Sequence, residues 1–170
     1  MRLLLALVLL VSACSRRTGP RPGDLDVVWR GADRGRFIAP FTATFCLQTG
    51  IVELLAVRGD TGVGAALFLP DSARVQATAY TVVPGSQLDE PRPGATVAVR
   101  WFATPSLSSF EGVTGTVRLD SVGTTISGTL DVGLRGLDRP DTLRATGRFT
   151  SVPLGRGDST CGRTSRRNKR

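Results

Sequence analysis

From Leu25 onward the chain is a succession of short apolar or alternating runs, rich in Val, Thr, Phe and Leu, each cut off by a cluster of Gly, Pro, Asp or Ser. Runs so closely punctuated leave no stretch with an apolar face at helical period, so the pattern predicts strands throughout. The expected strands are Leu25–Arg30, Arg36–Gln48, Ile51–Val57, Val63–Leu69, Arg74–Val83, Ala95–Ala103, Val113–Asp120, Thr125–Leu134 and Thr142–Val152. Turn chemistry separates them, as in Gln48-Thr49-Gly50, Gly59-Asp60-Thr61-Gly62, Ser121-Val122-Gly123 and Asp138-Arg139-Pro140-Asp141. Many short strands joined by tight turns predict an all-β fold, a single antiparallel β-sandwich or barrel over residues 25–162.

The last third carries a repeated unit. Thr114-Gly115-Thr116-Val117, Ser127-Gly128-Thr129-Leu130 and Thr146-Gly147-Arg148-Phe149 place a glycine between polar residues, ahead of an apolar one, in three successive strands. Glycine inside a strand marks a bulge or a close backbone approach, so this meander is expected to curve there.

The N-terminus reads differently. Met1-Arg2 is a minimal positive region, Leu3 to Val11 an unbroken apolar run, and Ser12-Ala13 the small residues expected before a cleavage site, so residues 1–13 predict a secretory signal. The apolar run falls short of the ~20 residues a membrane-spanning helix needs. Residues 15–24, SRRTGPRPGD, hold no apolar side chain, two prolines and two glycines, and predict an extended tether.

The segment Leu10-Val11-Ser12-Ala13-Cys14 resembles the lipobox of bacterial prolipoproteins, with Val11 where leucine is commonest. The resemblance covers the first 14 residues only. It implies cleavage before Cys14, a diacylglyceryl thioether on its sulfur and an acyl chain on the new amine, which together give stable membrane anchoring where a single chain would not. Ser15 rather than Asp after the cysteine goes with sorting to the outer membrane, facing the periplasm or the surface. An exported protein meets oxidising conditions, under which Cys46 and Cys161 are expected to pair, two free buried thiols being the alternative. A bond between them closes a loop long enough for a chain-entropy term of up to ~4.7 kcal/mol.

The net charge of +8 invites a nucleic-acid reading, but the positions of the charges argue against it. Arg2, Arg16, Arg17 and Arg21 precede the domain, and Arg163, Arg166, Arg167, Lys169 and Arg170 follow it in a tail, residues 163–170, expected to be disordered. Between Pro22 and Gly162 there remain 13 basic and 14 acidic residues, so the domain itself carries no basic excess to lay along phosphates.

The chemistry available is narrow. The chain has no histidine and no CxxC, and its one lysine is in the tail, which removes Ser-His and Cys-His nucleophile systems and the familiar zinc spacings. No catalytic set, metal or cofactor is predicted. A carboxylate pair acting on a glycan is the enzymatic alternative, with Glu53 inside the apolar run Ile51–Leu55 and Asp89-Glu90 in the Pro-rich loop 84–94; a cross-strand pair of Glu53 with Arg100 or Arg118 is the plainer reading. Trp29, Trp101 and Tyr80, with Phe102, are the candidate ligand-binding aromatics, either a platform for an envelope glycan or simply core. Arg-Gly-Asp occurs at Arg58-Gly59-Asp60 and at Arg156-Gly157-Asp158, each at the end of a run where Gly-Asp is ordinary turn material. The expectation is therefore a lipid-anchored envelope protein that binds or supports, with the membrane, an envelope glycan or an envelope protein as partner.

Overall fold

Alternation along each run becomes alternation between two faces of one sheet, and the sheet closes on itself. The computed structural model describes residues 20–71, 74–87, 93–103 and 106–157. The expected signal segment, Cys14, Asp89-Glu90, Cys161 and the basic tail lie outside the described residues. Nine strands follow in order: β1 (Asp24–Gly31), β2 (Gly35–Cys46), β3 (Ile51–Arg58), β4 (Thr61–Phe68), β5 (Ala79–Val82), β6 (Gly94–Ala103), β7 (Ser106–Val122), β8 (Thr125–Gly136) and β9 (Thr142–Gly157). A single 3-10 turn, Gly85–Gln87, precedes β6.

Neighbouring strands pair antiparallel from β1 to β4, β4 meets β6, and β7, β8 and β9 form the expected meander. Closure comes from β1 against β9, from Leu25 opposite Phe149 to Gly31 opposite Leu143. The architecture is thus a closed barrel rather than a sandwich, and it leaves no open sheet edge at the seam.

Two strands depart from the sequence expectation. The run Arg74–Val83 yields only Ala79–Val82, because β5 is a wedge: it pairs in parallel with the start of β6 and antiparallel with Thr116–Arg118 of β7. From Ala98 opposite Glu111 upward, β6 and β7 pair directly and leave no place for a longer β5. Strand β7 begins seven residues before its predicted start, since Ser106–Gly112 complete that hairpin with β6. Strand β9 also runs on. Past the first residue of β1 it lies parallel to β2, with Ala43 opposite Leu154 and Cys46 opposite Gly157.

The inward positions are apolar and the barrel is filled. Leu25, Leu67, Tyr80, Leu119, Ile126 and Phe149 are among the largest fully buried side chains. Each such aliphatic or aromatic residue contributes on the order of 1.5–3 kcal/mol by leaving water. The outward positions of β7 to β9 are mostly Thr, Arg and Asp, with Arg144 bidentate on Asp131 at 2.8 and 2.6 Å, and between β1 and β2 Arg36 is bidentate on Asp26 at 2.9 and 3.0 Å. The guanidinium of Arg144 holds the Asp131 carboxyl below its usual range. The outer face is polar on β7 to β9 and carries exposed Leu55 and Val57 on β3. No helix among the described residues is long and apolar enough to cross a membrane.

The repeated glycines sit where the meander needs them. The ladder between β7 and β8 shifts register between Gly112 and Thr114 and again between Leu119 and Ser121, and that between β8 and β9 shifts between Ile126 and Gly128. Gly115 has φ +106°, and a Cβ there would overlap the carbonyl oxygen of Asp131 and come within 2.9 Å of the Val132 Cα. Bulge and close approach act together, tightening the twist that lets a nine-strand sheet close.

Candidate functional site

Strand alternation sorts the connections to two ends. The β1–β2, β3–β4, β6–β7 and β8–β9 turns surround one mouth, here the upper one. The β2–β3 and β7–β8 turns, the start of β1 and the end of β9 surround the lower one.

Both tryptophans of the chain stand at the upper mouth. Trp29 is the last inward residue of β1 and Trp101 the last of β6, and the rings stack at 5.1 Å between centroids with planes 18° apart. Trp101 also stacks on Phe110 of β7, at 5.1 Å and 11°. Parallel ring pairs at this distance contribute ~0.5–1.5 kcal/mol beyond their burial. Gly35, opposite Trp29 in the ladder, makes room for the indole: a Cβ there would lie 2.5 Å from Cε2 and 2.8 Å from Nε1. Trp29 is 7% exposed, and its Nε1 is a buried side-chain donor without a hydrogen-bond partner among the described residues.

Above the stack lies a depression of about 290 Å3. Trp101 and Phe110 line it from β6 and β7, together with Ser106, Ser108 and Ser109. The β1–β2 turn adds Asp33, and the β8–β9 loop adds Asp138, Arg139 and Asp141. That loop is pinned by two backbone bonds, Gly136 N–H to the Asp141 carbonyl at 2.8 Å and Leu137 N–H to the Ser109 carbonyl at 2.9 Å. The result is an aromatic floor with a hydroxyl and carboxylate rim, three acids against one arginine. Leu107 also lines the depression and faces Phe102 across the β6–β7 hairpin, and Leu137 follows β8; all three are exposed.

The other sequence candidates separate from this site. Tyr80 is fully buried and donates its hydroxyl to the Gln76 carbonyl at 3.1 Å, so it belongs to the core and not to a ligand surface. Glu53 is exposed on the outer face of β3 between Thr44 and Ala66, and neither arginine proposed for it is its ladder neighbour: Arg118 bonds Asp120, and Arg100 lies opposite Gly62 and Ser109. A carboxylate-pair site needs a cleft that holds the sugar between two acids, and Glu53 stands on an open strand face. In Arg58-Gly59-Asp60, Arg58 ends β3 and Gly59-Asp60 form the two-residue β3–β4 hairpin turn, with Gly59 at φ +57°. No group of three or more His, Cys, Asp or Glu suited to a metal occurs among the described residues.

Cys46 is 1% exposed at the foot of β2. Its ladder partner Gly157 lies four positions before Cys161, which is outside the described residues. Sequence reasoning found the two tryptophans but read Asp138, Arg139 and Asp141 only as turn formers and did not single out Asp33. The signal available was topological: in an up-and-down arrangement the turns after β1 and β8 and the end of β6 fall at one end. No protein-family model, no curated protein and no solved structure matches this chain.

Proposed function

We propose that this is a lipid-anchored envelope protein whose barrel presents its upper mouth as a binding site for a single sugar residue of an envelope glycan. The observation that carries the reading is Trp101, partly exposed, stacked between the ring systems of the mouth and surrounded by serine and aspartate side chains. Sugars are held where C–H surfaces meet aromatic carbon and hydroxyls meet carboxylates and hydroxyls, and a site of about 290 Å3 is at the small end of ligand pockets. Two of the faces of the stack are used in ring contacts, so the ligand meets ring edges and makes its specificity through the rim. The acid excess at the rim favours neutral or amino sugars over uronic acids.

Anchoring through Cys14 puts the domain on a tether of about ten residues, and a Cys46–Cys161 bond would clasp the end of β9 to β2. The register of Cys46 with Gly157 supports that pairing. Because the chain has only two tryptophans and both are in the stack, intrinsic fluorescence reports on this site alone. Titration with N-acetylglucosamine, glucosamine, galactose and galacturonate should shift the emission with the neutral or amino sugars and not with galacturonate, and calorimetry should lose the heat in Trp101→Ala and in Asp138→Asn/Asp141→Asn. Silence with all four sugars, or unaltered heats in these variants, would overturn the assignment.

A protein partner is the second reading, favoured by the exposed Phe102, Leu107 and Leu137 beside the mouth. It predicts that Phe102→Ser/Leu137→Ser abolishes co-purification with an envelope protein while leaving sugar binding intact.

A further inference from the structure

The lower mouth has its own depression, larger than the upper one at about 440 Å3. Its walls are apolar, from Phe45, Val75, Val122 and Leu154, and two arginines, Arg74 and Arg156, also line it. No carboxylate lines it among the described residues, and neither arginine has an ion-pair partner among them. Two guanidiniums beside hydrocarbon walls, with no carboxylate lining the depression among the described residues, leave a place for the opposite charge. An acidic amphiphile matches both features.

We propose that this depression seats an anionic phospholipid of the membrane that carries the protein, the phosphate on Arg74 and Arg156 and the first acyl carbons against Val75, Val122 and Leu154. Position argues for this occupant. Strand β1 starts, and β9 ends, at this mouth, so the chain leaves the barrel here at both ends. Cys14 stands ten residues before Asp24, a reach of at most about 35 Å, which keeps the lower mouth near the bilayer if that cysteine is acylated. This last step rests on the lipoprotein reading; the chemistry of the pocket does not. Charge argues against residues 15–21 and 163–170 as occupants, since both are rich in arginine. With the mouth so seated, the acidic upper mouth points away from the membrane, where a glycan would be met.

The test uses the full protein purified from its host envelope in a non-ionic detergent, with dihexanoyl phosphatidylglycerol, dihexanoyl phosphatidylcholine and octanoate as soluble probes in calorimetry. Phosphatidylglycerol is expected to bind, phosphatidylcholine to bind far more weakly, and the phosphatidylglycerol affinity to fall about 30-fold in Arg74→Gln/Arg156→Gln, roughly fivefold per arginine near an anionic group. Raising salt should weaken it in the wild type and not in the double variant. Octanoate binding as tightly as phosphatidylglycerol would assign the site to free fatty acids instead of lipid, and equal affinity for the two phospholipids would overturn the proposal. Since glutamine at these rim positions leaves the barrel core untouched, an unchanged thermal midpoint identifies a folded variant, and Val122→Asp provides a second disruption from the apolar side. Intact mass of the same preparation reports acylation of Cys14, so a failed pocket and a failed anchor are told apart.

Discussion

Replacing Gly115 by alanine places a methyl group into the β7–β8 ladder just past the register shift between Gly112 and Thr114. The new Cβ would overlap the Asp131 carbonyl oxygen and stand 2.9 Å from the Val132 Cα, both backbone atoms that cannot swing aside. The residue must also hold φ +106°, where an L side chain is strained. Strain of this kind costs about 1–3 kcal/mol, and overpacking in a closed structure costs about 1–3 kcal/mol more. Together they predict a loss of about 4 kcal/mol, or about 14 °C in Tm for a domain of this size.

Two further variants separate the terms. Gly128→Ala meets the Arg118 carbonyl oxygen and the Phe149 Cζ at 2.8 Å without a positive φ, so it should show the steric part alone, about 2–3 kcal/mol. Gly85→Ala meets nothing within 4 Å and has no positive φ, so it should be neutral or stabilise by up to about 1 kcal/mol. Urea unfolding followed by tryptophan fluorescence, under non-reducing conditions, measures all three. If Gly115→Ala unfolds at the same urea concentration as Gly85→Ala, the claim that these glycines are required by backbone proximity is wrong.

Tyr80 is the chain's only tyrosine, and burial raises its pKa above the usual 10.0. A raised folded-state value means the neutral phenol stabilises the fold fully below pH 10 and progressively less above it. Phenolate absorbance should therefore appear later than in urea-unfolded protein, and Tyr80→Phe should remove that alkaline loss of stability. The parallel pair Trp29–Trp101, 5.1 Å apart, should give an exciton couplet in far-ultraviolet circular dichroism that Trp101→Ala abolishes. Losing a partly exposed ring from the stack should also destabilise by about 3 kcal/mol, the low end for an aromatic truncated to alanine, as read from denaturant midpoints.

Why some of this was legible in the sequence, and some was not, follows from particular residues. Period-two alternation in Phe37, Ala39, Phe41, Ala43 and Phe45 fixes a strand and its buried face locally, and the glycine repeat in the meander announces curvature. The seam is a different kind of fact. Leu25 meets Phe149 across almost the whole chain, and no local pattern encodes which edges of a sheet find each other. The short β5 was hidden for a related reason: Arg74–Thr78 looks as extended as Ala79–Val82, but only the latter has edges of both β6 and β7 to bind. At the site, Trp29 and Trp101 stand out as rare residue types, whereas Asp138 and Asp141 are equally good turn formers and rim ligands. Their second use becomes visible only when the β8–β9 loop is placed over Trp101.

The most direct test of the account is the intact mass of the protein taken from the membrane fraction of its own host, with thiols alkylated before and after reduction. The account predicts a chain beginning at a triacylated or diacylated Cys14, in which Cys46 and Cys161 take up alkylating reagent only after reduction. An unlipidated chain beginning at Met1, with both thiols alkylated at once, would contradict the anchor, the disulfide and the compartment together.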